Sequence, residues 1–202
     1  KMNILSSLAT LSYDKRRRDF FTSELITILK LIDNGIIDHN ILYGSWAGAF
    51  GNFQFMPSTI KNYALDYDGN GLIELKNLKD SFASAANYLN RIGWKKNEIC
   101  FKKVVLNENT PIKLLNTSAR QIKNKSSLKK IKKYILNINE VNLDNKSVVG
   151  IITPDKDIIS NAETLKPAYI TSDNYELILK WNRSLRFALA VCTLKEKISN
   201  EL

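Results

Sequence analysis

Gly44-Ser45-Trp46-Ala47-Gly48-Ala49-Phe50-Gly51-Asn52-Phe53-Gln54-Phe55-Met56-Pro57 is the stretch on which the reading of this chain turns. Three glycines and two alanines alternate with four aromatic rings. Small residues let backbone come close to something, and glycine reaches positive φ where other residues strain. The rings supply flat apolar faces, and Ser45, Asn52 and Gln54 supply hydrogen-bonding groups between them. A sugar has apolar ring faces and hydroxyl edges, so rings and amides together suit one. The alternative is a tightly packed loop that leads into a helix at Pro57, since proline is common at the first helical position.

Outward from this loop the chain reads as mostly helical. Upstream, Ile4–Leu11 forms a short helix, and residues 17–34 a longer one with Phe20, Phe21, Leu25, Ile28, Leu29 and Ile32 at helical spacing, stopped by Asn34-Gly35. Downstream, helices are expected from Pro57 to about Leu65 and from about Asp80 to Ile92, the latter with Phe82, Ala85, Ala86 and Leu89 inward. Beyond Trp94 the texture changes. Phe101–Leu106, Val148–Thr153, Ala168–Thr171 and Glu176–Lys180 read as strands, and Ser126–Leu136 as an amphipathic helix with its lysines on the solvated side. A last helix covers about Ser184–Ile198, with Leu185, Leu189, Val191 and Leu194 partly inward. The expected fold class is mainly α (α+β), with a helical core at 1–99, a small mixed subdomain at 100–168, and a strand and helix at 169–202 that return to the core.

The 202 residues carry 30 basic and 20 acidic side chains, a formal net charge of +10. Such a surface favours anionic partners, although the excess also reflects a vocabulary heavy in Lys, Asn and Ile. No apolar run approaches the ~20 residues that span a bilayer. The chain opens on Lys1 without a visible secretory signal, and that absence carries nothing about location. Cys100 and Cys192 are too few for a disulfide framework, and a bond between them is the less favoured reading.

Asp66-Tyr67-Asp68-Gly69-Asn70-Gly71-Leu72-Ile73-Glu74 is the second feature. Oxygen side chains at positions one, three and five with glycine at six match the start of an EF-hand loop, and the Leu72 carbonyl takes position seven. Position twelve, normally a bidentate Glu, is Asn77. An Asx-rich turn without metal is the competing reading.

Taken together, these motifs resemble the membrane-bound lytic murein transglycosylase B family. The resemblance rests on residues 44–59, on Leu5–Ser12 and Arg16-Arg17 before them, on the Asp66–Gly71 loop and Ala85-Ala86-Asn87-Tyr88 after them, and on Trp181–Ser184 and Phe187–Val191 near the end. It implies a lysozyme-like helical body with a small extra subdomain. It implies that Ser45, Gln54, Tyr88 and Asn182 line a glycan cleft, with Arg16 and Arg17 on the peptide stem or lactyl carboxylate, where guanidinium forks pair well. It implies a longer calcium loop closed by Asp80, so that Asp66, Asp68, Asn70, Leu72 and Asp80 hold Ca2+ with modest affinity. Where the family commonly has Tyr, this chain has Phe187, which removes one hydroxyl. Peptidoglycan strands and their stems are the implied partners, in the periplasm or cell envelope. A monomer is expected, and no nucleic acid.

Enzymes of this family use one glutamic acid. It protonates the glycosidic oxygen between N-acetylmuramic acid and N-acetylglucosamine, then takes the proton of the sugar's own C6 hydroxyl as that attacks the anomeric carbon. The product is a 1,6-anhydro ring. By resemblance this Glu lies just upstream of the segment that begins Lys1-Met2-Asn3, outside the sequence, so no catalytic residue is assigned. Glu24 reads as part of a polar helix face and Glu74 as part of the metal loop. Two classes of function follow: a lytic transglycosylase whose acid lies before residue 1, or a catalytically inactive peptidoglycan-binding protein. A basic nucleic-acid-binding domain is a weaker third, because it leaves the aromatic loop and the Asp loop unexplained.

Overall fold

The structure is a computed structural model, and it describes residues 2–118 and 120–201. The chain divides once, between Gly93 and Trp94, into two compact units. The sequence reading drew its boundaries after residues 99 and 168 instead.

The first unit is helical. Strand β1 (Met2–Asn3) leads directly into α1 (Ile4–Tyr13), whose N-terminus is capped by the Asn3 side chain accepting from the Ser6 N–H at 3.1 Å. Helix α2 (Arg18–Asp33) packs on α1 and stops at Asn34, before Gly35 at φ +68°. Strand β2 (Tyr43–Gly44) pairs antiparallel with β1, Met2 opposite Gly44, which anchors the start of the aromatic loop to the start of the chain. Helix α3 (Pro57–Tyr63) follows the loop with proline in its first turn. Helix α4 (Leu78–Arg91) closes the unit, capped by Asn77. The core holds Ile4, Leu8, Phe21, Ile28, Leu42, Phe50, Phe55 and Ile60. Each such side chain contributes about 1.5–3 kcal/mol when fully buried.

Two inward faces differ from the sequence reading. Helix α2 buries Phe21, Glu24, Ile28 and Leu31, while Phe20 and Leu29 are exposed. Helix α4 buries Asp80, Ser81, Ser84, Ala85 and Tyr88, and Phe82 points to solvent at 61 % exposure. The face is polar because loops dock their backbone on it. Ser84 Oγ accepts from the Leu65 N–H at 2.9 Å, and Ser81 Oγ accepts from the Asn52 amide at 3.1 Å.

The second unit is built on a sheet. In chain order it contains β3 (Phe101–Val104), β4 (Leu115–Asn116), β5 (Lys125–Ser127), the single-turn helix α5 (Leu128–Ile131), β6 (Val148–Ile152), β7 (Ala168–Thr171), α6 (Asp173–Trp181) and α7 (Leu185–Glu201). The strand order is β3-β7-β6-β4, with β5 also on β6. The β3–β7, β7–β6 and β5–β6 pairs are antiparallel, and β4–β6 is parallel with Leu115 opposite Ile151. Leu128, Ile131 and Ile135 do face inward, but after one α-turn the chain tightens to a 3-10 turn at Lys132–Tyr134 in place of the expected long helix.

Residues 176–180 are helical in α6, not a strand. That helix is fastened by Asn174, fully buried, whose amide bridges the Lys95 N–H, the Lys95 carbonyl and the Glu98 carbonyl at 2.7–3.1 Å. Helix α7 buries Leu185, Ala188 and Cys192, leaving Leu194 exposed. The two cysteines, whose pairing is the less favoured reading of the sequence, form a disulfide: Cys100, just before β3, is bonded to Cys192 of α7, and both are buried. Tyr175 donates its hydroxyl to the Leu185 carbonyl at 2.6 Å. Among the described residues, no helix is long and apolar enough to cross a membrane.

Candidate functional site

The aromatic loop is held almost entirely by bonds to itself and to its own unit. Ser45 closes the first turn: its N–H donates to the Ala49 carbonyl at 2.9 Å and its Oγ accepts from the Ala49 N–H at 3.0 Å. That closure needs Gly44, since a Cβ there would lie 2.1 Å from the Ala49 carbonyl oxygen. Gly51 sits at φ +79° with its missing side chain against Leu75. Phe50 and Phe55 then exchange backbone hydrogen bonds at 2.8 and 2.9 Å, making a tight hairpin with Gln54 near its tip at φ +53°. An L-residue with Cβ in that region is uncommon, and Gln54 is steadied there by its Nε2 donating to the Gly51 carbonyl at 2.8 Å.

Several residues emerge with roles that differ from first appearance. Asn52, grouped by sequence with the sugar-facing polar side chains, is exposed but tied back to its own unit: its amide nitrogen donates to Ser81 and to the Lys76 carbonyl, and its N–H donates to the Leu75 carbonyl. The surface of the loop includes Trp46, 67 % exposed, and Gln54 as well as Asn52. Ser45 is half-buried, its oxygen already an acceptor and its hydroxyl hydrogen available to donate. Tyr88 is buried on α4 beside Phe55 and Tyr63, with ring centroids 5.8 and 4.9 Å away. Burial, and after it the neighbouring Tyr63, holds its phenol above the ordinary tyrosine range.

The arginines stand on the turn before α2. Arg17 has φ +65°, and its guanidinium lies 4.2 Å above the Phe20 ring. Arg16 is exposed, with its N–H donating to Asp14. The structure thus groups Ser45 and Gln54 on one loop and sets Tyr88 against that loop through Phe55. Asn182 belongs to the second unit, exposed at the C-terminal cap of α6. Phe187 is partly exposed on α7.

The acidic loop has a defined geometry. Asp66 accepts the N–H groups of Gly69, Asn70 and Gly71 at 2.8–3.2 Å. Asp80, fully buried in the first turn of α4, accepts the Tyr67 N–H with one oxygen and the Glu74 N–H with the other, both at 2.9 Å. Asp68 accepts from the Asn77 amide at 3.2 Å. Oxygens of Asp66, Asp68 and Asp80 all lie within 4.8 Å of one another. An all-oxygen donor set of this kind suits a hard cation. Asn70 uses its oxygen on the Leu72 N–H and its amide on Glu74.

Glu24 is the residue sequence reasoning placed wrongly. It is 3 % exposed, not part of a solvated face. One carboxylate oxygen accepts the Ser58 N–H at 2.8 Å and the other the Ser58 hydroxyl at 2.6 Å. Met56, at the cap position of α3, offers no side-chain bond, so Glu24 of α2 caps α3 from another helix. The signal was in the spacing: Phe21, Glu24, Ile28 and Leu31 fall on one line of the helix.

The profile of the family described as Transglycosylase SLT domain matches residues 1–196. Over 99 residues the chain is 44 % identical to membrane-bound lytic murein transglycosylase B of Escherichia coli, covering 48 % of this chain and 27 % of that protein. Among solved structures, SltB3 of Pseudomonas aeruginosa in complex with NAG-NAM-pentapeptide superposes with a TM-score of 0.82 at 29 % identity, covering 98 % of this chain and 51 % of that one. The Escherichia coli lytic transglycosylase Slt35 in complex with calcium gives 0.78 at 28 % identity, over 100 % of this chain and 60 % of that one. The chain therefore spans about half the length of SltB3, and its 99 matched residues cover about a quarter of the curated relative. The mainly helical fold is consistent with the lysozyme-like fold expected from the sequence motifs. With a profile matched from the first residue almost to the last, and the aromatic loop built as described, the chain belongs to the Transglycosylase SLT domain family.

Proposed function

We propose that this chain recognises peptidoglycan, holding the glycan strand with Ser45, Gln54 and Tyr88 and the peptide carboxylates with Arg16 and Arg17; Asn182, on the second unit, is a separately proposed glycan contact that rests on the family resemblance. The observation that supports this best is the loop itself. Its small residues and its internal bonds fix the backbone before any ligand arrives, so little ordering remains to be done on binding. The complex of SltB3 with a NAG-NAM-pentapeptide supports the same class of ligand.

Within these residues the binding reading is favoured over cleavage. Protonation of a glycosidic oxygen requires a carboxylic acid free to reach it. Glu24 is turned to Ser58, and Glu74 accepts from Asn70 at 2.9 Å. Family membership favours a second reading, that the protein cleaves the MurNAc–GlcNAc bond by the intramolecular route to a 1,6-anhydro product, with its acid outside residues 1–202. That route needs no second carboxylate beside the sugar, unlike hydrolysis.

Calcium is the proposed cofactor, of structural importance only. Asp66, Asp68, Asn70, the Leu72 carbonyl and Asp80 would hold it, and the ion would neutralise the three carboxylates and stiffen the loop before α4. A cell-envelope location is proposed with the partner, and the Cys100–Cys192 bond suits an oxidising compartment.

The test is titration calorimetry of the 202-residue chain with muropeptide fragments, alongside mass spectrometry of sacculi incubated with it. Binding without anhydro products is expected. Gln54→Ala and Asn182→Ala should each weaken binding by roughly 1–3 kcal/mol where a buried partner is left unpaired; melting should hold for Asn182→Ala, while Gln54→Ala also loses the bond to the Gly51 carbonyl and its melting is read alongside. Equal binding by wild type and both variants places the cleft elsewhere. Anhydro products from this chain show that an acid within it acts.

A further inference from the structure

Charge is divided unequally along the chain. The first unit carries 10 basic and 9 acidic residues, the second 20 and 11. Within the second unit it is concentrated again: residues 101–136 hold ten Lys and Arg against the single acid Glu108.

Part of that segment folds as two runs side by side. Leu106 bridges Ile135, the Leu136 N–H donates to the Val105 carbonyl at 2.8 Å, and the Asn107 N–H donates to the Tyr134 carbonyl at 3.0 Å. Val104, Leu106, Ile131 and Ile135 point inward and are at most 5 % exposed. Lys103 and Val105 of one run, and Lys132, Lys133 and Leu136 of the other, are exposed. Val105 is 46 % exposed and Leu136 66 %. Among the described residues none of these three lysines is in an ion pair. Glu140, bonded to Asn137 at 3.1 Å, is the acid at the end of the second run.

A soluble polyanion or nucleic acid engages the ammonium groups and leaves Val105 and Leu136 idle. An acidic bilayer uses both: lysines meet the headgroups with their stems laid along apolar surface, and aliphatic tips enter the acyl boundary. We propose that the face formed by Lys103, Val105, Lys132, Lys133 and Leu136 is a peripheral docking surface for a membrane rich in anionic phospholipid. It lies within the second unit and stands apart from the glycan reading.

The experiment is flotation of the full chain with vesicles of phosphatidylglycerol and phosphatidylcholine in equal parts, against phosphatidylcholine alone, with duplex DNA in a gel-shift arm. Binding to the acidic vesicles is expected, many-fold stronger than to the neutral ones and released by salt. Replacing the three lysines by Gln should lower partition about 100-fold, at about fivefold for each lysine near the surface. Val105→Asn with Leu136→Asn should lower it about tenfold, through lost apolar burial. These side chains are exposed, so melting curves should hold; the salt release of the wild type checks the charge term without any variant. Equal partition into both kinds of vesicle overturns the proposal, as does undiminished binding by the Val105/Leu136 variant. A chain that ignores vesicles and shifts DNA overturns it in favour of nucleic acid.

Discussion

Replacing Glu24 by Ala is expected to destabilise the first unit by about 3 kcal/mol. The carboxylate accepts two hydrogen bonds from Ser58, at 2.8 and 2.6 Å, and they cap a helix whose own cap residue offers nothing. Bonds to a charged acceptor contribute about 1.5–3 kcal/mol each. Ser58 is half-buried, so water reaches part of what is lost and the lower figure applies to each bond. Glu24→Gln keeps an acceptor for the Ser58 N–H and should cost about 1 kcal/mol. Combining Glu24→Ala with Ser58→Ala should show a coupling of about 1–2 kcal/mol, because the hydroxyl bond is then removed from both sides. Urea unfolding followed by far-UV circular dichroism measures all three, and hydrogen exchange at the Ser58 amide reports the capping bond directly. A Glu24→Ala protein within about 0.5 kcal/mol of wild type refutes the cap, since that is the range of an ordinary surface substitution. A variant of unchanged stability that loses a glycan-cleaving activity would make Glu24 the acid.

Millimolar calcium should raise the melting temperature of the wild type and not that of Asp80→Ala; at a hundred times Kd the gain is about 2.7 kcal/mol, and a flat calorimetric titration excludes the site. Burial, and after it Tyr169, raises the Tyr175 phenol far above its usual value in the folded protein. Its contribution to stability is therefore complete below the unfolded value of about 10 and declines as pH rises beyond it. Tyr175→Phe should flatten that alkaline slope in pH-dependent unfolding, and an unchanged slope contradicts the assignment. Cys100→Ser opens a closure of 92 residues and should cost the second unit about 2–5 kcal/mol in denaturant titrations, against no measurable loss if the bond does not form in solution.

Much of the first unit was legible because its helices carry their own punctuation. Asn34-Gly35 ends α2 and Pro57 opens α3, as read from sequence alone. The faces were harder. Helix α4 turns serines and an aspartate inward because three loop segments need acceptors there, and no periodicity of apolar residues records that demand. The error at 176–180 was a choice between periods. Four apolar or aromatic residues lie within Tyr175–Leu179, which fits a strand, but Asp173 and Glu176 in the first turn were a helix signal. The turn at 128–134 kept its inward residues and lost its length. The disulfide was not readable, since its partners are far apart in the chain and only the tertiary fold brings their Cα atoms to 5.9 Å. In the candidate site, the motif singles out Ser45 and Gln54, which the structure places on one loop, while the internal bonding of Asn52 depends on Ser81, which no local pattern joins to it.

Asp80 and Ser81 are consecutive, yet they serve different loops. Asp80 ties down the acidic segment through Tyr67 and Glu74, and Ser81 receives the amide of Asn52 from the aromatic loop. One turn of helix is thus a shared abutment. Whatever stiffens that turn from the acidic side lowers the cost of ordering Asn52, and a ligand seated on the aromatic loop returns the same free energy to the acidic side. An ion and a sugar that never touch would each measure the other's presence, and calorimetry of one in the absence and presence of the other would read the size of that conversation.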